Sequence, residues 1–189
     1  MIVLLRVPEI MRCSASPVRS RFLAVLFAVV CVLPASGETA VLECTADVGI
    51  GVKATGYEEQ LGLQKGALLN FRFGVTRGWS VSKATLLVHI AQGETPQHVE
   101  IGFVSQNWTE QKPPEIGRSV RFHRVKPAPQ ADRWMTIPLD PPLVELMIEG
   151  KMTGLVVRTS RGQPLAIHSR QAHSFVPYLI VEGHKNSGG

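Results

Sequence analysis

From Leu165 the chain reads Leu-Ala-Ile-His-Ser-Arg-Gln-Ala-His-Ser-Phe-Val-Pro-Tyr-Leu-Ile-Val, ending at Val181. A short apolar alternation, Leu165 and Ile167, runs into a polar loop holding Ser169 and Arg170, and Pro177 then opens a second apolar run. Proline at the first position of a strand gives up no ladder hydrogen bond, so Pro177 marks a strand entrance and Tyr178 to Val181 the strand. The stretch predicts a closing pair of strands and, with it, a β-sheet protein.

The same period of two recurs upstream. Leu69, Phe71 and Phe73 alternate with Leu68, Asn70 and Arg72, and Ala84, Leu86, Val88 and Ile90 with Thr85, Leu87 and His89. Val99, Ile101 and Phe103 alternate with Glu100 and Gly102, Val120 and Phe122 with Arg121 and His123, and Met135, Ile137 and Leu139 with Thr136 and Pro138. Leu155 and Val157 alternate with Val156 and Arg158. Half-buried strands at this spacing, separated by Gly, Pro, Gln and Ser clusters, predict an all-β, antiparallel, jelly-roll-like sandwich rather than βαβ units. One short helix is predicted near 141–149, with Asp140 as N-cap, Pro141 in the first turn and Gly150 as terminator.

The first 37 residues read as a leader. Phe22 to Leu33 is almost unbroken apolar sequence, preceded by Arg12, Arg19 and Arg21 and followed by Pro34-Ala35-Ser36-Gly37. A positive flank, a short apolar core and small residues before a cut describe a secretory signal peptide, and a core of about a dozen residues is too short to serve as a membrane anchor. Met11 makes a more ordinary start than Met1. Cleavage after Gly37 leaves one domain over 38–183 and a disordered tail over 184–189. The leader carries four arginines against Glu9, so the net charge of +5 falls by 3 to +2 once it is removed. The basic character is mostly a property of the export signal and gives no support to a nucleic-acid partner. Cys13 and Cys31 leave with the leader, and Cys44, beside Val41 and Leu42, reads as an inert core thiol.

Four blocks carry a family resemblance: Ala67-Leu68-Leu69-Asn70-Phe71-Arg72-Phe73; Val81-Ser82-Lys83-Ala84-Thr85-Leu86; Asn107-Trp108-Thr109-Glu110; and Gly154-Leu155-Val156-Val157 followed by Ser169-Arg170-Gln171 and Pro177-Tyr178-Leu179. In this order they resemble the DNRLRE-type β-sandwich domains, which include carbohydrate-binding module family 96, over about residues 41–183. The departures are Asn70 and Arg72, where the family has a basic and an acidic residue, and Gln171, where it has Glu. An ion pair implied by the family pattern is therefore rewired here. The resemblance implies a non-catalytic module of exported bacterial proteins, with some members binding polysaccharide.

The candidate chemistry is sparse. Arg118 to Lys126 holds four Lys/Arg and no acid, with Arg121 and His123 on one side of a strand. Arginine forks match carboxylates and sulfates, which points to an acidic polysaccharide; the plain alternative is an edge strand kept soluble by charge. Among the rings Tyr57, Trp79, Trp108 and Trp134, Trp79 follows Arg77-Gly78 in a turn and is the one expected to be exposed for stacking on sugar. The candidate ligand contacts are thus Arg72, Trp79, His89, Arg121, His123 and Arg170. The histidines show no metal-binding spacing. Asp47, Glu58 and Glu59 offer hard oxygen ligands for a structural Ca²⁺ without a loop signature, and no other cofactor is implied. Tyr57, His89, His168 and Arg170 form an acid–base set for a lyase only if the fold gathers them. The expectation is a secreted, periplasmic or extracellular, binding module without catalysis, its partner a polysaccharide or another exported protein.

Overall fold

The computed structural model describes residues 37–51, 58–117, 120–160 and 163–186. The predicted leader up to Ser36, together with Tyr57, Arg118 and the last three residues, lies outside them. The strands are β1 (Glu38–Gly49), β2 (Gln60–Gly62), β3 (Ala67–Phe71), β4 (Trp79–Gln92), β5 (Val99–Val104), β6 (Phe122–Val125), β7 (Ala128–Pro129), β8 (Trp134–Leu139), β9 (Gly154–Thr159), β10 (Ala166–His168) and β11 (Tyr178–Lys185). The one α-helix among the described residues, α1, spans Pro141–Ile148. Every strand pairing is antiparallel.

β1 belongs to two sheets. Its first half, Glu38 to Glu43, pairs with β11, and its second half, Cys44 to Gly49, pairs with β3 after a register shift between Cys44 and Ala46. The first sheet runs β7-β8-β4-β11-β1, with β10 and β2 extending it from the far end of β4; the second runs β1-β3-β9-β5-β6. A bulge adds twist and bends the strand, which is what carries a chain round a sandwich corner. The inner faces share one core, in which Leu42, Leu86, Val88, Ile137 and Leu179 of the first sheet join Leu69, Phe71, Ile101, Leu155 and Val157 of the second.

The outer faces differ. On the second sheet Val48, Leu68, Val104 and Val156 point away from the main core and are buried under Ile50, Trp108, Ile116, Val120 and Phe122. The connection between β5 and β6 therefore acts as a roof, a use of Leu68 that its alternation with Leu69 does not foretell. On the first sheet the outer rows Thr136-Leu87-Tyr178-Glu43 and Pro138-Thr85-Ile180-Val41 cross β8, β4, β11 and β1. Val41 keeps 47% of its surface exposed.

The helix lies where the sequence predicts it. Leu143 and Val144 donate their N–H groups to the Asp140 carbonyl, and Gly150, at φ 75°, ends the helix in the left-handed conformation. Its buried residues are Val144 and Met147. Two other readings need correction. β10 and β11 do not pair with each other; each pairs with β4, β10 also with β2 and β11 also with β1. The final strand also reaches into the predicted tail, with His184 and Lys185 pairing with Ser80 and Trp79. A long β4 offers partners to both segments, which short-range periodicity cannot reveal.

Gly183 sits at the register shift of β11 against β4, where a Cβ would collide with the Ser80 backbone oxygen. Gly183→Ala is expected to cost about 1–3 kcal/mol through this overpacking. Gly74→Ala, with no neighbouring atom to meet, is expected to melt within about a degree of the parent. Paired thermal melts check both.

Candidate functional site

Two clusters of chemistry-bearing side chains form on the sandwich. The first lies just past the bulge of β1. Arg170 grips Glu110 with both arms, Nε to Oε1 at 2.7 Å and Nη2 to Oε2 at 2.9 Å. The Asp47 N–H donates to Glu110 Oε1 at 3.2 Å, and the Arg170 N–H donates to Asp47 Oδ2 at 2.6 Å. The Ser169 hydroxyl donates to the Glu58 carbonyl and accepts from the Gln171 N–H, opening the turn that presents Arg170. The Trp108-Thr109-Glu110 and Ser169-Arg170-Gln171 blocks, far apart in sequence, thus meet over β1.

The electrostatics follow from these contacts. The Arg170 guanidinium holds the Glu110 carboxyl below its usual range, and Glu110 in return raises Arg170. Asp47 is 2% exposed and its Oδ1 has no partner; burial raises its carboxyl to about 6. Cys44 is buried nearby, and burial drives its thiol far upward, so it is not nucleophilic at neutral pH. Arg170 supplies the positive charge that the calcium reading assigned to an ion. Glu59 is exposed, and among the described residues no group of three or more His, Cys, Asp or Glu side chains is disposed around a metal position.

The second cluster lies at one end of the open outer face of the first sheet. His89 and Trp134 are register partners on β4 and β8, edge-to-face at 5.2 Å between ring centroids. Phe175 stacks on His89 at 4.0 Å, and His168 stands 4.9 Å from His89. Trp134 continues to Tyr178 at 6.2 Å, and both rings are half-buried. Beyond them the face holds Leu87, Thr85, Thr136, Ile180 and Val41, bordered by the Lys83–Glu182 ion pair at 2.6 Å. The surface is half apolar and edged by hydroxyls.

The residues named from sequence do not converge. Arg72 is exposed past the end of β3, beside Val41, Glu43 and Val75. Arg121 and His123 are exposed at β6, the free edge of the second sheet, with β9 and β5 between them and β3. Arg170 is committed to Glu110. Trp79 is 7% exposed and lies in the core as the first residue of β4, so its ring has no face to offer a ligand; the turn ends one residue earlier than expected. His89 is 7% exposed, beneath Phe175. The lyase set also stays apart: Arg170 and His168 serve different clusters, and Tyr57 falls outside the described residues. Sequence reasoning missed the platform of Trp134 and Tyr178. The available signal was Leu87 and Ile180, apolar residues at outward positions that a polar sheet face does not require. Comparison with protein-family models and with curated proteins finds no match to this chain.

The Asp47 carboxyl binds its proton more tightly in the fold than in the unfolded chain, whose carboxyl sits near 3.8. This favourable contribution is complete below about pH 3.8 and lost as the pH rises through about 6. An uncharged Asp47→Asn variant is therefore expected to gain in melting temperature relative to the parent as the pH rises from about 4 to about 7, and to gain no more above it. A constant difference across that range would refute the assignment of the proton to Asp47.

Proposed function

We propose that this chain is an exported, non-catalytic β-sandwich module that binds polysaccharide on the open outer face of the first sheet. The observation that carries the reading is the pair of half-exposed amphipathic rings, Trp134 and Tyr178, 6.2 Å apart on a sheet face left open among the described residues. Ring faces pack against the C–H surface of pyranoses while ring edges and neighbouring hydroxyls take up sugar hydroxyls. Thr85 and Thr136 stand in the adjoining rows. An open sheet face suits an extended chain better than a small solute, which calls for a concave pocket.

Charge narrows the ligand to neutral glycans. Lys83 and Glu182 neutralise each other, Glu43 is balanced by Arg72 beside it, and the basic run of Arg121, His123 and Arg124 stands on the other sheet. The acidic glycans favoured by the basic run are therefore the less suited ligand for this face. The face also carries too little exposed apolar surface for a stable homodimer, since Val41 and Val75 are its largest exposed hydrophobics. A non-catalytic role is supported by the pairing of Arg170 with Glu110 and by the burial of Asp47 and Cys44. A second reading, an assembly module, is favoured by one observation: β6 pairs on one side only and is basic, so it suits an acidic strand from a partner.

Affinity electrophoresis in gels containing β-glucan, xylan, pectate or alginate tests the proposal. Retardation by a neutral glycan is expected, insensitive to salt and weakened about tenfold in Trp134→Ala and in Tyr178→Ala. Arg121→Ala with His123→Ala is expected to change nothing. Retardation by the acidic glycans alone, lost in that double variant, would overturn the choice of face. No retardation by any of the four would overturn the glycan reading.

A further inference from the structure

His89 and His168 present a feature that sugar binding does not use. The Nδ1 atoms of both rings are buried and have no hydrogen-bond partner. An orphaned buried ring nitrogen costs stability, and two side by side call for an explanation. The Asp132 backbone lies near enough to act on the His89 ring. In the neutral tautomer protonated at Nε2, each Nδ1 carries a free lone pair. That is the form in which histidine ligates a metal through Nδ1.

The spacing agrees. Two imidazoles on one tetrahedral ion, with bonds of about 2.0–2.1 Å, have ring centroids about 5 Å apart. Those of His89 and His168 are 4.9 Å apart, with their planes tilted by 42°. The backbone round them is also unusual. Asp132 (φ 53°), Arg133 (φ 61°) and His173 (φ 49°) are the described non-glycine residues with positive φ, and all three flank this pair. Asp132 and Arg133 lead into Trp134, and His173 precedes Phe175. Arg133 is held in place by donating to the carbonyls of Ile90 and Gly93 at 3.0 and 3.1 Å. Such conformations persist where the surroundings impose them, and the result here is a fixed turn beside the two rings.

We propose that His89 and His168 form a binding site for a late divalent transition metal, Zn²⁺ or Cu²⁺, ligated through the two Nδ1 atoms. Imidazole nitrogen is the preferred donor for both ions. Phe175 closes the site as a hinged ring on the loop between β10 and β11, and solvent completes the coordination when that loop opens. Glu59, whose charge acts on His168, adds a field favourable to a cation, set against that of Arg133, which acts on both rings. The site adjoins the glycan platform, whose ring faces are those of Trp134 and Tyr178.

Calorimetric titration of the metal-free protein with Zn²⁺ and, separately, Cu²⁺ tests this. One ion per chain is expected, with affinity reduced at least tenfold in His168→Gln and in His89→Gln. His98→Gln, His123→Gln and His184→Gln, on the surface, are expected to bind as the parent does. His168→Gln lies at the end of a three-residue strand and tolerates the exchange if His89→Gln fails to fold. In the parent, ¹⁵N chemical shifts of the imidazoles are expected to move at Nδ1 of His89 and His168 on adding Zn²⁺. Absence of binding, binding retained in His168→Gln, or shifts confined to the surface histidines would each overturn the proposal.

Discussion

The rest of the structure depends on β1 leaving one sheet and entering the other. A strand that pairs with β11 over its first half and with β3 over its second must break register, and it does so between Cys44 and Ala46. A break in a ladder leaves backbone groups to be satisfied elsewhere, so the crossing needs other bonds to hold it. The Cys44 N–H donates to the Pro177 carbonyl, and its thiol to the Ala46 carbonyl. Immediately beyond, Asp47 is fastened on both sides, by its own N–H to Glu110 and by its carboxylate to the Arg170 N–H. The bidentate Arg170–Glu110 pair then ties the β5–β6 connection to the β10–β11 connection across this point. Arg170 is about a third exposed, which weakens the pair as a source of stability. Its larger contribution is geometric, because it holds two turns and one strand in a single register.

That crossing sets the asymmetry of the two outer faces. With Glu110 held over β1, the connection from β5 to β6 is drawn across the second sheet, where Trp108, Ile116 and Val120 cover Leu68, Val104 and Val156. Trp108 is anchored by its Nε1–H to the Thr153 carbonyl at 3.2 Å, and Thr153 itself bonds the carbonyls of Val104 and Gln106. The chain therefore has a second small core on one side and a bare sheet on the other. A bare sheet that must remain in water is normally polar outward. Here its centre is Leu87, Tyr178, Ile180 and Trp134, a composition that makes sense for a surface meant to be covered part of the time.

Much of this fold was legible in the residues. Alternation in Ala84 to Ile90, Val99 to Phe103, Met135 to Leu139 and Tyr178 to Val181 marks strands because a half-buried sheet demands it locally. Asp140, Pro141 and Gly150 mark the helix for an equally local reason. What alternation cannot carry is partnership. The pairing of β10 with β4 and β2, and the double allegiance of β1, are set by the twist and closure of the whole sandwich. The candidate site was less legible for the same cause. Arg72, Arg121 and Arg170 look alike in sequence, yet one is a solvated side chain, one sits on a free edge and one closes a staple. Trp79 looks like a turn residue because Arg77-Gly78 precedes it; β4 starts one residue later and takes the ring into the core.

The basic run around β6 then has a physical explanation that requires no ligand. β6 is the last strand of the second sheet, and its outer backbone groups face no strand among the described residues. An edge of this kind is a template for unwanted pairing, and charge along it is the common remedy. The charges are also partly satisfied internally. Arg158 pairs with Glu100 at 2.7 Å and lies over the Phe122 ring at 3.6 Å, while Arg124 reaches Nδ1 of His98 at 3.1 Å. Phe122 thus packs on the outer side of the second sheet under one arginine, while the charged residues keep the edge repellent to other cationic edges. A second copy of the same strand would meet like charge, so self-association through β6 is disfavoured, whereas an acidic segment would meet none of that repulsion. The sign of the charge, rather than its presence, is what separates protection of the edge from recognition by it.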